Sequence, residues 1–167
     1  MFNINVIKAY WIHHADDDPD DLCLHGYVVV TIGNEQFETE CTISAAALYH
    51  LKTLTENHFI DTENQMLPCC GLLLFPNDAN DNVNISGCQN GIDWSVTHKN
   101  GGVEITTEHG IKTFVTMSEY QKQVFAFADF VKEVYDNCTQ KNIPSNEFDR
   151  RGYIAFWNEW TRRRSAS

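Results

Sequence analysis

Three groups of residues in this 167-residue chain have types and spacings that chemistry can use. The first is the acidic run Asp16-Asp17-Asp18-Pro19-Asp20-Asp21. Its aspartates at relative positions 1, 3 and 5 are those of a calcium loop, but that loop needs Gly at position 6 and Glu at position 12. Here those positions hold Asp21 and Tyr27, so the calcium reading fails. What survives is a block of five carboxylates, Asp16, Asp17, Asp18, Asp20 and Asp21, placed to attract a basic protein surface through long-range charge and rim ion pairs. The plainer reading is a solvated charged loop. Asp78, Asn80 and Asn82 repeat the spacing with Val83 in place of the glycine, and Asx-turns account for that loop.

The second group is His13, His14, Cys23 and His25. If the first two strands pair through the acidic loop, Trp11, His13, Cys23 and His25 share parity and fall on one face. Imidazole and thiolate bind zinc well, which makes His13, Cys23 and His25 weak metal candidates. Their spacing matches no finger or enzyme pattern, and a polar sheet face with aromatic cover explains them as well. No cofactor is expected.

The third group is Cys69-Cys70 with Cys88. Neighbouring residues on a strand point to opposite faces, so Cys69 and Cys70 are not expected to serve one ligand site. A nucleophilic thiol needs a lowered pKa and a nearby base. His98 and His109 exist, but nothing in the sequence places either beside these thiols. The chain also holds no phosphate loop, no dinucleotide fingerprint, no Gly-x-Ser-x-Gly elbow and no His-Glu-x-x-His pair.

The elements that must position these residues are legible from periodicity. Residues 92–99, 103–108 and 111–117 alternate apolar and polar around Asn100-Gly101-Gly102 and His109-Gly110, a three-stranded meander. Ile92, Trp94, Val96, Val103, Ile105, Ile111, Val115 and Met117 are expected on its apolar face, with Asp93, Ser95 and Glu104 on the wet one. Ser118, with Gln121 three residues on, is the expected cap of a long helix. That helix carries Tyr120, Val124, Phe127, Val131, Val134 and Cys138 as one stripe laid on the meander.

Upstream, strands are expected at 2–12, 22–32 and 37–43, the last two joined by Gly33-Asn34. Ser44 is the expected cap of a helix over 45–58 with Ala47, Leu48, Leu51 and Leu54 buried. Residues 70–75 read as a buried apolar strand and 83–86 as a short one. A last helix over about 147–163 carries Tyr153, Phe156, Trp157 and Trp160 on one face. The whole predicts one α+β domain over 1–167: a largely antiparallel sheet of about seven strands with two to three helices mainly on one face.

Composition bounds the function. A length of 167 residues suffices for a core without disulfides, and the N-terminus alternates like a strand rather than a signal peptide. Six reduced cysteines and a cytoplasmic location are therefore expected. No apolar run is long enough to cross a bilayer. The net charge of −11 is uneven: residues 1–147 hold seven lysines against 21 acids, while all five arginines fall within 150–164. An acidic body disfavours nucleic acid and anionic lipid and favours basic protein partners. Arg162-Arg163-Arg164 is expected to offset a helix dipole, or to clasp the acidic loop of the same or a neighbouring subunit, so a homo-oligomer is admitted.

Two functions of different class follow. The first is a non-enzymatic acidic protein-binding domain, in concrete form a small cytoplasmic inhibitor of the immunity-protein kind that neutralises a basic partner. The alternative is a metal- or thiol-dependent enzyme using His13, Cys23 and His25, or Cys88 with a histidine.

Overall fold

The computed structural model describes residues 1–60, 64–71 and 73–166. Three antiparallel strands open the chain: β1 (Phe2–Tyr10), β2 (His25–Ile32) and β3 (Glu35–Cys41), in the order β1-β2-β3. Along β2 the pleat buries Gly26, Val28, Val30 and Ile32 and leaves His25, Tyr27, Val29 and Thr31 partly open. Helix α1 (Ile43–Lys52) follows, and then the hairpin β4 (Leu73–Pro76) and β5 (Val83–Ser86). The meander β6 (Trp94–Lys99), β7 (Gly102–Thr107) and β8 (Lys112–Thr116) leads into α2 (Met117–Asn137), and α3 (Glu147–Ser165) ends the chain.

The fold is α+β; among the described residues eight strands are divided among three antiparallel sheets, where a single sheet of about seven was expected. The division has a backbone cause. After Cys41 the chain turns into α1 while Thr42 N–H donates to Pro68 O, so β3 hands no ladder on to β4. His58 pairs instead with Val96 on the free edge of β6, and Leu67 pairs with Ile92 just before that strand. Ile92 therefore lies outside the strand it was expected to start.

Helix α2 packs on β1, β7 and β8, and buries Tyr120, Val124, Phe127, Ala128 and Val131 against them. Burying these side chains contributes on the order of 10 kcal/mol before chain entropy is subtracted. The expected inner face holds for Trp94, Val96, Val103, Ile105 and Val115, but Ile111 sits in the β7–β8 turn and is exposed. The cap differs too. Thr116, still extended at the end of β8, accepts from Glu119 N–H, while the Glu119 carboxylate accepts from Thr116 N–H and its hydroxyl. An ionised Glu in the first turn meets the helix dipole better than the neutral Gln121 of the expected box.

Helix α1 lies between α2 and α3 and is enclosed on every side. Ile43 through Leu51 are all buried, including Ser44, Tyr49 and His50 as well as the expected Ala47, Leu48 and Leu51. It begins two residues before the expected position, with Thr42 rather than Ser44 at the cap, and stops at Lys52 rather than 58. The Thr53 hydroxyl donates to His50 O and lies 2.6 Å from the Tyr120 hydroxyl, turning the chain out toward the His58 pairing. The expected buried strand over 70–75 begins only at Leu73, on a hairpin edge where Leu73 and Phe75 are exposed. Leu72, within that run, lies outside the described residues. Among the described residues no helix is long and apolar enough to cross a membrane.

Candidate functional site

The β1–β2 connection carries the acidic run, and its geometry starts from a strained turn. His13 and His14 both have φ near +60°, a left-handed conformation that costs non-glycine residues about 1–2 kcal/mol each. This turn ends β1 at Tyr10, so His13 does not continue the strand face expected of it. Ile12 N–H donates to the Asp21 carboxylate at 2.7 Å, and Trp11 N–H donates to Ala15 O at 2.9 Å. Asp21 also accepts from Cys23 N–H and lies 3.4 Å from His25 Nε2. Burial alone would raise the Asp21 pKa. The bonds from His25, Cys23 and Ile12 more than offset that and hold it below the usual range.

Beyond the turn, the loop is fastened to the segment after α2. Asp17 accepts from both the hydroxyl and the N–H of Thr139, which lowers its pKa. Lys141 donates to Asp18 O at 2.6 Å, Asn142 Nδ2 to Asp20 at 2.7 Å, and Asn142 N–H to Pro19 O at 2.8 Å. The Lys141 ammonium stands over the Trp11 ring while Tyr135 meets that ring edge-on. Of the five candidate contact residues, Asp17, Asp20 and Asp21 thus hold the loop in place through their side chains. Asp18 contributes its carbonyl and caps Asp20 N–H, and Asp16 stands exposed.

A groove of about 420 Å³ opens between this loop and α2. Asp16 and Asp17 line one wall, Glu133 the other, and Trp11, Phe130 and Val134 supply apolar surface; none of its lining residues is cationic. Phe130 is 38% exposed there. Glu133 and Phe130 were not singled out from the sequence, although a large aromatic lying off the apolar stripe of α2 is a readable signal.

The weak metal candidates are not gathered. Cys23 is buried, its thiol facing Gly71 O and pushed up to about 12 by burial and then by Asp21. His25 is turned toward Asp21 and Tyr10. Among the described residues no group of three or more His, Cys, Asp or Glu could hold a metal ion.

The thiols behave otherwise. Cys69 and Cys70 precede β4 rather than lying within a strand, so the alternation rule does not separate them. Cys70 Sγ accepts from Cys88 N–H at 2.9 Å, and Cys88 is the main cause of the raised pKa of Cys69, so both neighbours face Cys88 rather than opposite sides as expected. His98 and His109 are engaged elsewhere, with Thr53 O at 2.9 Å and Glu35 at 2.7 Å.

Two charged clusters lie apart from the groove. Glu159, fully buried, accepts from Val83 N–H and Arg163 Nε at 2.7 Å each and lies 3.4 Å from Lys52. Arg163 reaches Glu56, Arg162 reaches Asn82, and Arg164 grips Asp129 with two bonds. The arginine triplet therefore clasps the segment just after α1, the β4–β5 loop and α2, not the acidic run of its own chain. Asp93, expected on the wet face, is 1% exposed and accepts from His58 Nε2 and Met66 N–H. The chain matches no protein-family model, no curated protein and no solved structure.

Proposed function

We propose that this chain is a non-enzymatic, acidic protein-binding domain that receives a basic side chain of its partner in the groove between the Asp16–Asp21 loop and α2. The observation that carries the reading is the pairing of three carboxylates, Asp16, Asp17 and Glu133, with the exposed ring of Phe130 in one concavity. An arginine suits that combination, since its stem covers apolar surface while its guanidinium meets carboxylates. The loop's fastening to Thr139, Lys141 and Asn142 holds the carboxylates in place before the partner arrives, which lowers the ordering cost of association. A small inhibitor of the immunity-protein kind, neutralising a basic partner, is the concrete form; charge and size support it.

Calorimetric titration with a tetra-arginine peptide, at low and high salt, tests the reading. Each exposed ion pair contributes up to about 1 kcal/mol, so Asp16→Asn with Glu133→Gln is expected to weaken binding by about thirtyfold. Equal affinity of the double variant and the native chain would refute the groove as the site. The second reading, a thiol-dependent enzyme, is favoured by one observation, the approach of Cys88 to Cys70, its N–H 2.9 Å from Cys70 Sγ.

A further inference from the structure

The segment after β5 and the segment before β4 are pressed together at their backbones. A Cβ added at Gly87 would lie 1.7 Å from Cys70 O, so only glycine lets the two segments approach this closely. Next to it, Cys88 N–H points at Cys70 Sγ from 2.9 Å. The contact is fixed from the other end as well, because Gly91 N–H donates to the Gln65 side chain at 2.6 Å and Gln65 Nε2 donates to Gln89 O. Cys88 is thus held against Cys70, 18 residues away, at a position where Cys69 is exposed and Cys70 and Cys88 are half-buried.

We propose that Cys69, Cys70 and Cys88 form a thiol–disulfide exchange site, in which Cys88 attacks a low-molecular-weight disulfide and Cys70 resolves the adduct. The roles follow from which sulfur is solvated as an anion. Of the three, Cys88 is the thiol whose pKa falls, to about 7, chiefly through the nearby Asn90 N–H and then through Cys70 and Cys69. The pKa of Cys70 is raised, chiefly by burial, and that of Cys69 by its bond to Cys88, so those two sulfurs keep their protons. A thiolate with a pKa near ambient pH is the best compromise between abundance and nucleophilicity.

Oxidised glutathione is a representative disulfide of this class. The Cys88 thiolate attacks one glutathione sulfur, the glutathione S–S bond breaks, and one glutathione leaves as thiolate and takes a proton from water. Cys70 then loses its proton to water and attacks the Cys88 sulfur; the bond from Cys88 to glutathione breaks, and the second glutathione leaves as thiolate and takes a proton from water. Two protein thiols are oxidised, and one glutathione disulfide is reduced to two thiols. The product bond closes the loop that carries β4 and β5, the hairpin on which α3 packs. Cys23 and Cys41, buried and both pushed to about 12, stay outside this chemistry.

The test uses the full chain, reduced and then exposed to oxidised glutathione near pH 7, with peptide mapping by mass spectrometry. The expected product is a Cys70–Cys88 linked peptide, and Cys70→Ser is expected to trap glutathione on Cys88. Iodoacetamide labelling of the native chain is expected to modify Cys88 at least tenfold faster than Cys69 at pH 7, although Cys69 is the more exposed. A Cys69–Cys88 link would overturn the role given to Cys70. Labelling of Cys88 no faster than Cys69, or no intramolecular link at all, would overturn the site.

Discussion

His50 sits in the middle of α1 with no solvent exposure, between Phe2, Trp94 and Phe127. Its Nδ1 lies 2.7 Å from Ala46 O, and that contact fixes the proton on Nδ1; Nε2 then faces the core as a lone pair with no partner. Adding a second proton would place an uncompensated cation among aromatic rings, so burial pulls the pKa down to about 4 from an unfolded value near 6.5. The unfolded chain binds the proton first as pH falls. The stability that neutral His50 secures is therefore complete above about pH 6.5 and is lost as pH falls toward 4. At about 1.4 kcal/mol per pH unit the full loss is about 3 kcal/mol, a large share of the stability of a domain this size. Leucine has nearly the volume of histidine and no titrating nitrogen. Urea denaturation of the native chain and of His50→Leu between pH 7 and 4.5 is expected to show a steep decline for the first and a shallower one for the second. Equal slopes would refute the reasoning, whatever the absolute stabilities.

Other consequences can be measured alongside. Glu159→Gln removes the charge that faces buried Arg163 and Lys52, and is expected to cost about 3 kcal/mol in urea denaturation; a loss under about 1 kcal/mol would contradict the buried network. Thr116→Ala deletes half of the capping box and is expected to cost about 1 kcal/mol, with Ser118→Ala near neutral; the reverse order would restore the cap to Ser118. The Thr139 amide donates to Asp17, so its NMR shift is expected to titrate with a midpoint below the ordinary aspartate value of about 3.9. Loop stabilisation from this bond is present above that value and disappears as pH falls through the lowered pKa. A midpoint at or above 3.9 would show the staple absent in solution.

What could be read from the chain alone was what local pattern controls. Alternation and Gly-containing turns placed β5 through β8 within about two residues, because register on a half-buried sheet leaves a period-two trace. The stripe on α1 was real but incomplete: Ser44 and His50 are polar yet enclosed, the Ser44 hydroxyl meeting Leu24 O and His50 Nδ1 meeting Ala46 O, and those partners are invisible to periodicity. The division into three sheets depends on which edges the irregular stretch around His58 and Leu67 covers, a non-local choice. The same limit applies to the sites. The acidic run is plain in the sequence, but Thr139 and Asn142, which hold it, lie 122 residues beyond the aspartates they bind. The thiol cluster was missed for a different reason. The apolar run over 70–75 reads as strand and begins at Cys70, and strand geometry points neighbouring side chains such as Cys69 and Cys70 apart.

The groove is tested most directly by mapping tetra-arginine onto the backbone amide spectrum of the native chain. Shift changes are expected to concentrate on Asp16, Asp17, Phe130, Glu133 and their immediate neighbours, shrink with salt, and vanish from that set in Asp16→Asn/Glu133→Gln. Changes spread evenly over the other acidic positions, such as Glu38, Glu104 and Asp136, and untouched by the double variant, would contradict the groove as the site.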